Sequence, residues 1–293
     1  MYNLNIFKRL LIVFFKSKAK QLFYKNALKK VTPPNLYPAL SDKTIHFRHS
    51  GLLGDIIYSI PAMLALAEGR SIQLHLNIDQ PTSYKKNMKH YNKNKMLTEK
   101  TIELLAPLLL SQPGFEVCDI YSSQRIDYNL DVFRKYPFNY DAGNISRYYF
   151  YSYGISRDLS IPWLTAPADL RYKDSIVIAR SFRYRAPCIS YGFLNQYTDI
   201  VFVGLKEEFE DLKTQLPGLK FQPTNNFYDL ARIIAGCKFF IGNQSFPFAL
   251  AEGLKVKRVL ELYFECPNVI PAGEHAYDFC YQEQFEKIVK QLS

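Results

Sequence analysis

Apolar and polar positions in the first half of the chain switch between the period of a strand and the period of a helix. The predicted strands are 44–48, 71–79 and 115–122, and the predicted helices are 55–68, 98–110 and 144–153. Gly69 and Thr98 supply the helix stop and the helix start expected at those positions. Because strands that alternate with helices form a parallel sheet with covering helices, this half is predicted to be α/β.

A second alternation of the same kind follows Pro162 and Pro167, which predict a domain junction near residue 170. Its predicted strands are 175–179, 199–203, 220–222, 239–241 and 258–263, and its predicted helices are 207–216, 227–237, 245–254 and 283–292. The sequence therefore predicts two Rossmann-like domains, 44–170 and 171–293, whose parallel sheets face a cleft. Ligands of such folds bind at the carboxyl ends of strands, so function is expected in the cleft.

The positive charge of the chain is concentrated at its N-terminus. The chain has 37 Lys and Arg against 27 Asp and Glu, and eight of the basic residues but no acid fall in residues 1–30. The formal charge of +10 thus becomes only +2 for the other 263 residues. Only this segment would indicate nucleic-acid binding, and no nucleic-acid partner is expected for the rest of the chain.

Residues 1–43 are predicted to form a basic helix followed by the Pro-rich linker 31–38. The apolar run Leu10–Phe15 is far shorter than the roughly 20 residues that cross a bilayer. One side of the helix carries Leu4, Phe7, Leu11, Phe14 and Phe15, and Arg9 and Lys16 lie opposite. The pattern decays after residue 16, where Lys18 and Lys25 intrude on the apolar face. Such a helix can lie in an anionic membrane surface, or it can pack on the body with its basic side in solvent. The sequence leaves both interpretations open.

The five cysteines are scattered, odd in number and without a CxxC pair, so neither a disulfide framework nor a zinc site is expected. This pattern predicts that the protein is located in the reducing cytoplasm. If the N-terminal helix binds a membrane surface, the protein is expected at the inner face of the membrane. The sequence has no DxD, HExxH or GxSxG motif, and no metal or other cofactor is expected.

The first candidate site is the turn Gly51-Leu-Leu-Gly54-Asp55, between a predicted strand and a predicted helix. Glycines let the backbone approach a ligand closely, and a helix N-terminus favours an anion. A carboxylate at that place can accept a proton from a hydroxyl group, so Asp55 is a candidate general base. Asp55 can equally be a simple N-cap. His49, next to the turn, is a candidate for the wall of the cleft.

The second and third candidate sites also follow predicted strands. Arg180, Arg183 and Arg185 come directly after strand 175–179, with no acid nearby in the sequence to balance them. Because the planar guanidinium donates hydrogen bonds in pairs, these arginines indicate a phosphate site rather than a solvated turn. The turn Asn243-Gln244-Ser245 precedes a helix whose free N–H groups can bind phosphate, although it can also be an ordinary capped turn.

These three sites, in this order, resemble the GT-B glycosyltransferases of the heptosyltransferase-like family (glycosyltransferase family 9), which build bacterial lipopolysaccharide. The resemblance rests on Gly54-Asp55-Ile-Ile-Tyr-Ser-Ile-Pro61, on the arginine loop and on the late Gly-Asn-Gln-Ser turn. It implies that Asp55 deprotonates the acceptor hydroxyl, and that Arg180, Arg183 and the late turn contact the donor phosphates. It also implies that Gly204-Leu-Lys206-Glu207-Glu208 contacts the nucleotide ribose.

The resemblance implies a metal-independent, inverting glycosyltransferase that moves a sugar from a nucleotide sugar to a surface-glycan or glycolipid acceptor. The late segment departs from the family, since Gln244, Phe246 and Ala249 stand where it usually has Asp, Gly and His. These departures leave the donor sugar open. They also favour an alternative, in which a GT-B scaffold without chemistry binds a glycan or a partner at the membrane.

Overall fold

The computed structural model describes residues 6–29, 43–82, 92 and 94–293. Helix α1, Ile6–Lys29, precedes a four-stranded parallel sheet. The strands are β1 Thr44–His49, β2 Ser71–Leu76, β3 Phe115–Ile120 and β4 Tyr128–Asn129, in the order β3-β2-β1-β4. The helices of this part are α2 Leu53–Ala67, α3 Glu99–Leu110 and α4 Ile145–Tyr153. The predicted Pro-rich linker 31–38 lies outside the described residues.

The second sheet has six parallel strands in the order β10-β9-β8-β5-β6-β7. They are β5 Ile176–Ala179, β6 Ile200–Phe202, β7 Lys220–Phe221, β8 Phe239–Asn243, β9 Arg258–Glu261 and β10 Ala276–Phe279. The connecting helices are α5 Lys206–Lys213, α6 Phe227–Gly236, α7 Phe246–Leu254 and α8 Gln282–Leu292. The predicted α/β class and the two parallel sheets are thereby confirmed.

Local sequence explains where the helices begin and end. The Thr98 hydroxyl accepts from the Thr101 N–H and so caps α3, and the Asn144 and Asn226 side chains cap α4 and α6 in the same way. At the end of α2, Glu68 and Gly69 both adopt positive φ, of 51° and 85°. A left-handed residue ends a helix, and glycine adopts that conformation without steric cost.

The structure adds elements that the periodicity did not predict. Strand β4 has two residues and pairs only with β1, so it is too short to show a period. Strand β10 lies at a sheet edge with only Phe279 fully buried, so it carries no apolar run. Three short 3₁₀ segments were also missed: Leu130–Lys135, Leu170–Tyr172 and Gly192–Gln196.

One hydrophobic cluster joins the two sheets. Helix α2 packs on α7, and α3 packs on α6. Each of these helices contributes a fully buried residue between the sheets: Ile60, Leu250, Leu105 and Ile234. A second cluster covers the far face of the second sheet. The strands of the two sheets fall on either side of residue 170, and the predicted domain boundaries at 43 and 170 stay predictions.

Most of the aromatic residues between 124 and 172 belong to this core. Phe133, Tyr148 and Tyr149 are buried, and the rings of Phe133 and Tyr149 meet edge to face with centroids 4.8 Å apart. The high aromatic content of the chain is therefore largely a packing feature in this segment.

Candidate active site

Asp55 lies in the first turn of α2, at the carboxyl edge of the first sheet. The N-cap of α2 is Leu52, whose side chain makes no capping bond, so Asp55 is not the N-cap. The Asp55 Oδ2 instead accepts a hydrogen bond from Arg134 Nη2 at 2.9 Å, and one fifth of the Asp55 side chain is exposed. A carboxylate that is partly exposed at a helix N-terminus and oriented by a guanidinium can reach a bound hydroxyl.

Arg134 comes from the 3₁₀ segment Leu130–Lys135, and the sequence pattern did not predict its contact with Asp55. Burial by itself would lower the pKa of its guanidinium, but Asp55, Tyr149 and Asp131 more than offset burial and hold that pKa above its ordinary value. Asp131 also accepts from the Ser50 N–H at 3.1 Å, which ties the segment to the turn after β1. No local signal points to Arg134, because 79 residues separate it from Asp55.

His49 supports the turn from inside the protein. Its side chain is fully buried, and burial is the largest cause of a pKa below the ordinary value, so the ring is neutral at pH 7. Its Nδ1 accepts from the Gly51 N–H at 2.8 Å, so its Nε2 carries the hydrogen that is donated to Tyr149 Oη at 2.9 Å. Tyr149 Oη in turn donates to the Asp55 carbonyl at 3.2 Å. The prediction that His49 lines the cleft is corrected, because a fully buried ring cannot do so.

The two glycines of the turn have different surroundings. A Cβ on Gly51 would lie 2.5 Å from His49 Cε1, 2.6 Å from Arg134 Nη2 and 2.8 Å from Asp55 Oδ2. A Cβ on Gly54 would meet no described atom within 4 Å. Gly51 is therefore required by the close approach of the Asp55–Arg134 pair, whereas Gly54 faces open space at the start of α2, where a ligand has room.

Arg180 is paired with Glu261, an acid that lies far from it in the sequence. Its Nε and Nη2 donate to Glu261 at 2.7 and 2.8 Å, and its guanidinium carbon lies 4.6 Å from the centre of the Tyr191 ring. The Arg180 and Glu261 side chains are 4% and 0% exposed. The expectation of unbalanced arginines is thereby corrected. A contact between Arg180 and a donor phosphate, which stays a prediction, requires this buried pair to open.

The other two arginines lie closer to the surface. Arg185 Nη1 donates to Asp211 of α5 at 2.7 Å, and its Nε donates to the Ser181 carbonyl at 2.9 Å. The Arg183 guanidinium carbon lies 5.5 Å from the centre of the Tyr184 ring. Both arginines are half-buried on the loop after β5, and their predicted phosphate contacts stay predictions.

Asn243 at the end of β8 holds the arginine loop in place. Its Oδ1 accepts from the Ser181 N–H at 3.0 Å, and its Nδ2 donates to the carbonyls of Ser181 and Arg183 at 2.9 and 2.6 Å. Asn243 is fully buried, so it positions the loop and presents no free amide to a ligand. Ser245, which is half-buried, is the N-cap of α7, and its hydroxyl donates to the Asn243 carbonyl at 3.2 Å.

The predicted ribose segment meets the same loop. Glu208 Oε1 accepts from the Phe182 N–H at 3.2 Å, and burial raises the pKa of Glu208 above its ordinary value. Lys206 and Glu207 are exposed in the first turn of α5, where Lys206 pairs with Glu210 at 2.7 Å. The arginine loop, the ribose segment and the late turn thus lie together at the carboxyl ends of β5, β6 and β8.

Gln244 connects this edge with the segment that carries Arg134. Its buried side chain donates to Asn268 Oδ1 at 2.9 Å, and Asn268 Nδ2 donates to the Tyr140 carbonyl at 2.8 Å. Tyr140 Oη donates to the carbonyls of Phe133 and Tyr136, the residues that flank Arg134 closely in the chain. Gln244 therefore acts as an internal bridge in this structure, and its phosphate contact stays a prediction.

Within the described ranges, no group of three or more His, Cys, Asp or Glu could hold a metal ion. A cavity of about 170 Å³ lies on the second half of the molecule, beside Gln222, Asn225 and Arg232. Its lining includes none of the predicted site residues.

No protein-family model and no curated protein matches the chain by sequence. Solved structures with a similar fold were found. The chain is similar to the E. coli heptosyltransferase WaaC bound to ADP-2-deoxy-2-fluoro heptose, with 11% identity, a TM-score of 0.53 and coverage of 85% of this chain and 100% of WaaC. It is similar to a glycosyl transferase of family 9 from Veillonella parvula, with 13% identity, a TM-score of 0.53 and coverage of 86% and 92%.

A third similar structure is the dodecameric, iron-containing heptosyltransferase TibC in complex with ADP-D-beta-D-heptose. Its identity is 15% and its TM-score 0.52, and the match covers 82% of this chain and 63% of TibC. At these identities the likeness concerns the fold, and it confirms the GT-B architecture that the sequence resemblance implied.

Proposed function

We propose that this protein is an inverting glycosyltransferase that moves a sugar from a nucleotide-sugar donor to a hydroxyl group of a glycan or glycolipid acceptor. The observation that carries the proposal is the Asp55 carboxylate. It is partly exposed, oriented by Arg134, and placed at the start of α2 on the carboxyl edge of the first sheet. The GT-B fold, which the chain shares with heptosyltransferases, supplies the scaffold for the proposed reaction.

In the proposed reaction, Asp55 accepts the proton of the acceptor hydroxyl while that oxygen attacks the anomeric carbon of the donor sugar. The bond from this carbon to the phosphate oxygen breaks, and its electron pair leaves with the nucleoside diphosphate. Attack from the side opposite the leaving group inverts the anomeric configuration. Arg134 keeps its charge, because its pKa lies above the ordinary value, and it holds the carboxylate in position.

The leaving diphosphate needs positive charge and hydrogen-bond donors. We assign this role to Arg183, Arg185, Ser245 and the free N–H groups at the start of α7, which lie at the same edge of the second sheet. Arg180, Asn243 and Gln244 support this edge from inside, because their polar atoms are already engaged. Arginines and helix N–H groups can supply this stabilisation without a metal.

The donor and acceptor classes follow by analogy. WaaC was solved with a fluorinated analogue of ADP-heptose and TibC with ADP-heptose, so ADP-sugars are the first donors to test. The proposed acceptor is a surface-glycan or lipopolysaccharide-type molecule. The proposed compartment is the cytoplasm, to which the scattered cysteines point.

The decisive experiment measures release of nucleoside diphosphate and sugar transfer by the full chain over a panel of nucleotide sugars and acceptors. For an active pair, Asp55→Asn is expected to lower kcat at least 100-fold, since general-base catalysis contributes about 10²–10⁴-fold. The KM for the donor is expected to stay within twofold of the wild-type value. The melting temperature is expected to stay within about 2 °C of wild type. Asp174→Asn, at an exposed aspartate that precedes β5, is the matched control and is expected to be neutral.

A second candidate, a GT-B scaffold that binds a glycan without transferring sugar, is favoured by one observation. Three of the six residues predicted to bind donor phosphate are buried in internal contacts. A thermal-shift titration separates the two functions. Stabilisation by nucleotide sugars with turnover supports the transferase, whereas stabilisation by glycans alone, with no turnover and no effect of Asp55→Asn, supports the binding module.

A further inference from the structure

Helix α1 takes no part in the proposed sugar transfer. At about 1.5 Å per residue its 24 residues extend for about 36 Å. Among residues 15–29, where the structure describes the side chains, four large apolar ones are exposed: Phe15 and Phe23 by 64%, Leu22 by 59% and Leu28 by 51%. None of them belongs to either hydrophobic cluster of the body. The sequence left open whether this helix packs on the body. In the structure, residues 15–29 do not pack on it.

Four apolar residues between 15 and 23 form one stripe along the helix, and Asn26 lies within the same arc one turn later. At 3.6 residues per turn, Phe15, Ala19, Leu22 and Phe23 fall within about 100° of the helix circumference. Leu28 lies on the opposite side, roughly 170° from the centre of the stripe by the same geometry. The apolar stripe on this part of the helix is thus as wide as the face that a surface helix typically buries.

Lysines border this stripe on both sides. Lys16 and Lys20 lie along one edge, and Lys18, Lys25 and Lys29 lie along the other. The helix contains no acidic residue over its whole length. Long lysine side chains can cover apolar surface with their methylene groups while the ammonium reaches outward, so lysines on both flanks fit a helix that lies flat in an interface.

Two properties must be satisfied at once by whatever covers this helix. The stripe needs an apolar environment, and the flanking lysines need negative charge at its edges. A nucleic acid offers charge without an apolar layer, whereas an anionic bilayer offers both within a few ångströms. No helix in the described part of the chain is long and apolar enough to span a membrane, so this contact would be at the surface.

We propose that α1 docks the protein on an anionic lipid bilayer. Phe15, Leu22 and Phe23 enter the boundary between headgroups and acyl chains, and the flanking lysines contact lipid phosphates. The helix axis lies parallel to the membrane plane. The proposal does not depend on sugar transfer, because it concerns a surface away from Asp55 and is tested without donor or acceptor.

The test is co-sedimentation of the full chain with vesicles of phosphatidylcholine alone and of phosphatidylcholine with 30% phosphatidylglycerol. Binding is expected only to the anionic vesicles, and it is expected to weaken as salt rises because exposed charges are screened. Lys16→Gln with Lys20→Gln should lower the partition coefficient about 30-fold, the equivalent of about 1 kcal/mol for each lysine near the surface. Lys173→Gln on the body, an exposed lysine, is the control and should leave binding unchanged.

A second pair of variants tests the face of the helix. Leu22→Ser is expected to reduce binding at least fivefold, and Leu28→Ser, at a similarly exposed leucine on the opposite face, is expected to change it less than twofold. Because both leucines are exposed, neither change should alter the melting temperature.

Three results would overturn the proposal. They are equal losses for the two leucine variants, equal binding to neutral and anionic vesicles, and absence of sedimentation with either. If a nucleic acid were retained by α1 while vesicles were not, the helix would have a different class of partner and the lipid assignment would be wrong. Loss of vesicle binding with sugar transfer intact would leave the proposed function standing.

Discussion

The turn after β1 and the carboxyl edge of the second sheet both place charged residues directly after a parallel strand, yet the two regions use their charges differently. The Asp55–Arg134 pair keeps 20% and 33% of its side chains exposed, whereas the Arg180–Glu261 pair is sealed at 4% and 0%. The first pair is open to a ligand, and the second holds the fold together. Exposure of the pair, rather than the residue types, separates a candidate for chemistry from a structural ion pair.

The largest expected effect comes from breaking the buried pair. Glu261→Gln leaves the Arg180 guanidinium buried without a countercharge, which costs about 3–5 kcal/mol in comparable pairs. Glu261 also accepts from the Ala186 N–H at 2.8 Å and from Tyr191 Oη at 2.8 Å, so the loss affects the whole loop. Urea unfolding monitored by circular dichroism measures the change in the free energy of unfolding. A loss below 1 kcal/mol would contradict the structural role given to this pair.

The next effect tests the crowding of the turn after β1. Gly51→Ala places a methyl group within 2.5–2.8 Å of three side chains, and it is expected to cost about 1–3 kcal/mol and to displace Asp55 from Arg134. Gly54→Ala meets open space at the start of α2 and is expected to be neutral or to stabilise the fold by up to about 1 kcal/mol. Equal melting temperatures for the two variants would show that the turn is looser than the contacts indicate.

These two regions also show what a sequence can predict here. The turn around Asp55 was located from glycines between a strand and a helix, because that information is local. Its partner Arg134 is 79 residues away, and Glu261 is 81 residues from Arg180, so neither pair leaves a local pattern. Strands such as β1 and β8 were predicted from their apolar period, whereas the two-residue β4 was not. Pairing and burial arise in the folded state, so the sequence identified the charged loops without revealing which charges were already engaged.

A third prediction uses pH to separate the regions. The pKa of His49 is below 6.5 in the folded protein because of burial, so below pH 6.5 the unfolded chain binds a proton that the folded chain does not. Stability contributed by His49 is therefore complete above pH 6.5 and falls as pH decreases, by up to about 1.4 kcal/mol per pH unit. The measurement is the free energy of unfolding from pH 7.5 to 5.5. His49→Gln should reduce the dependence of the free energy of unfolding on pH. His275→Gln, at an exposed histidine, is the control variant. An unchanged pH dependence in His49→Gln would contradict the role given to His49.

The smallest expected effect lies in the half-exposed Arg185–Asp211 pair at the carboxyl edge of the second sheet. Arg185→Gln removes the bond to Asp211, and a pair this exposed contributes less than about 1 kcal/mol. If Arg185 also contacts the donor phosphates, the same variant raises the donor KM several-fold with little change in unfolding. Asp211→Asn serves as the control, because it breaks the pair and leaves the guanidinium in place. A loss of stability as large as that of Glu261→Gln would remove the contrast between the buried and the exposed arginine.

The hydrophobic cluster shared by α2, α3, α6 and α7 has a consequence for cooperativity. Each sheet is covered on one face by helices that also pack against the helices of the other sheet, so the two halves share this buried layer, and the second half adds a cluster of its own on the far face of its sheet. Thermal unfolding is therefore expected as one calorimetric transition rather than two, with the van't Hoff enthalpy equal to the measured enthalpy. For the same reason, residues 44–170 and 171–293 are expected to aggregate when they are produced as separate polypeptides.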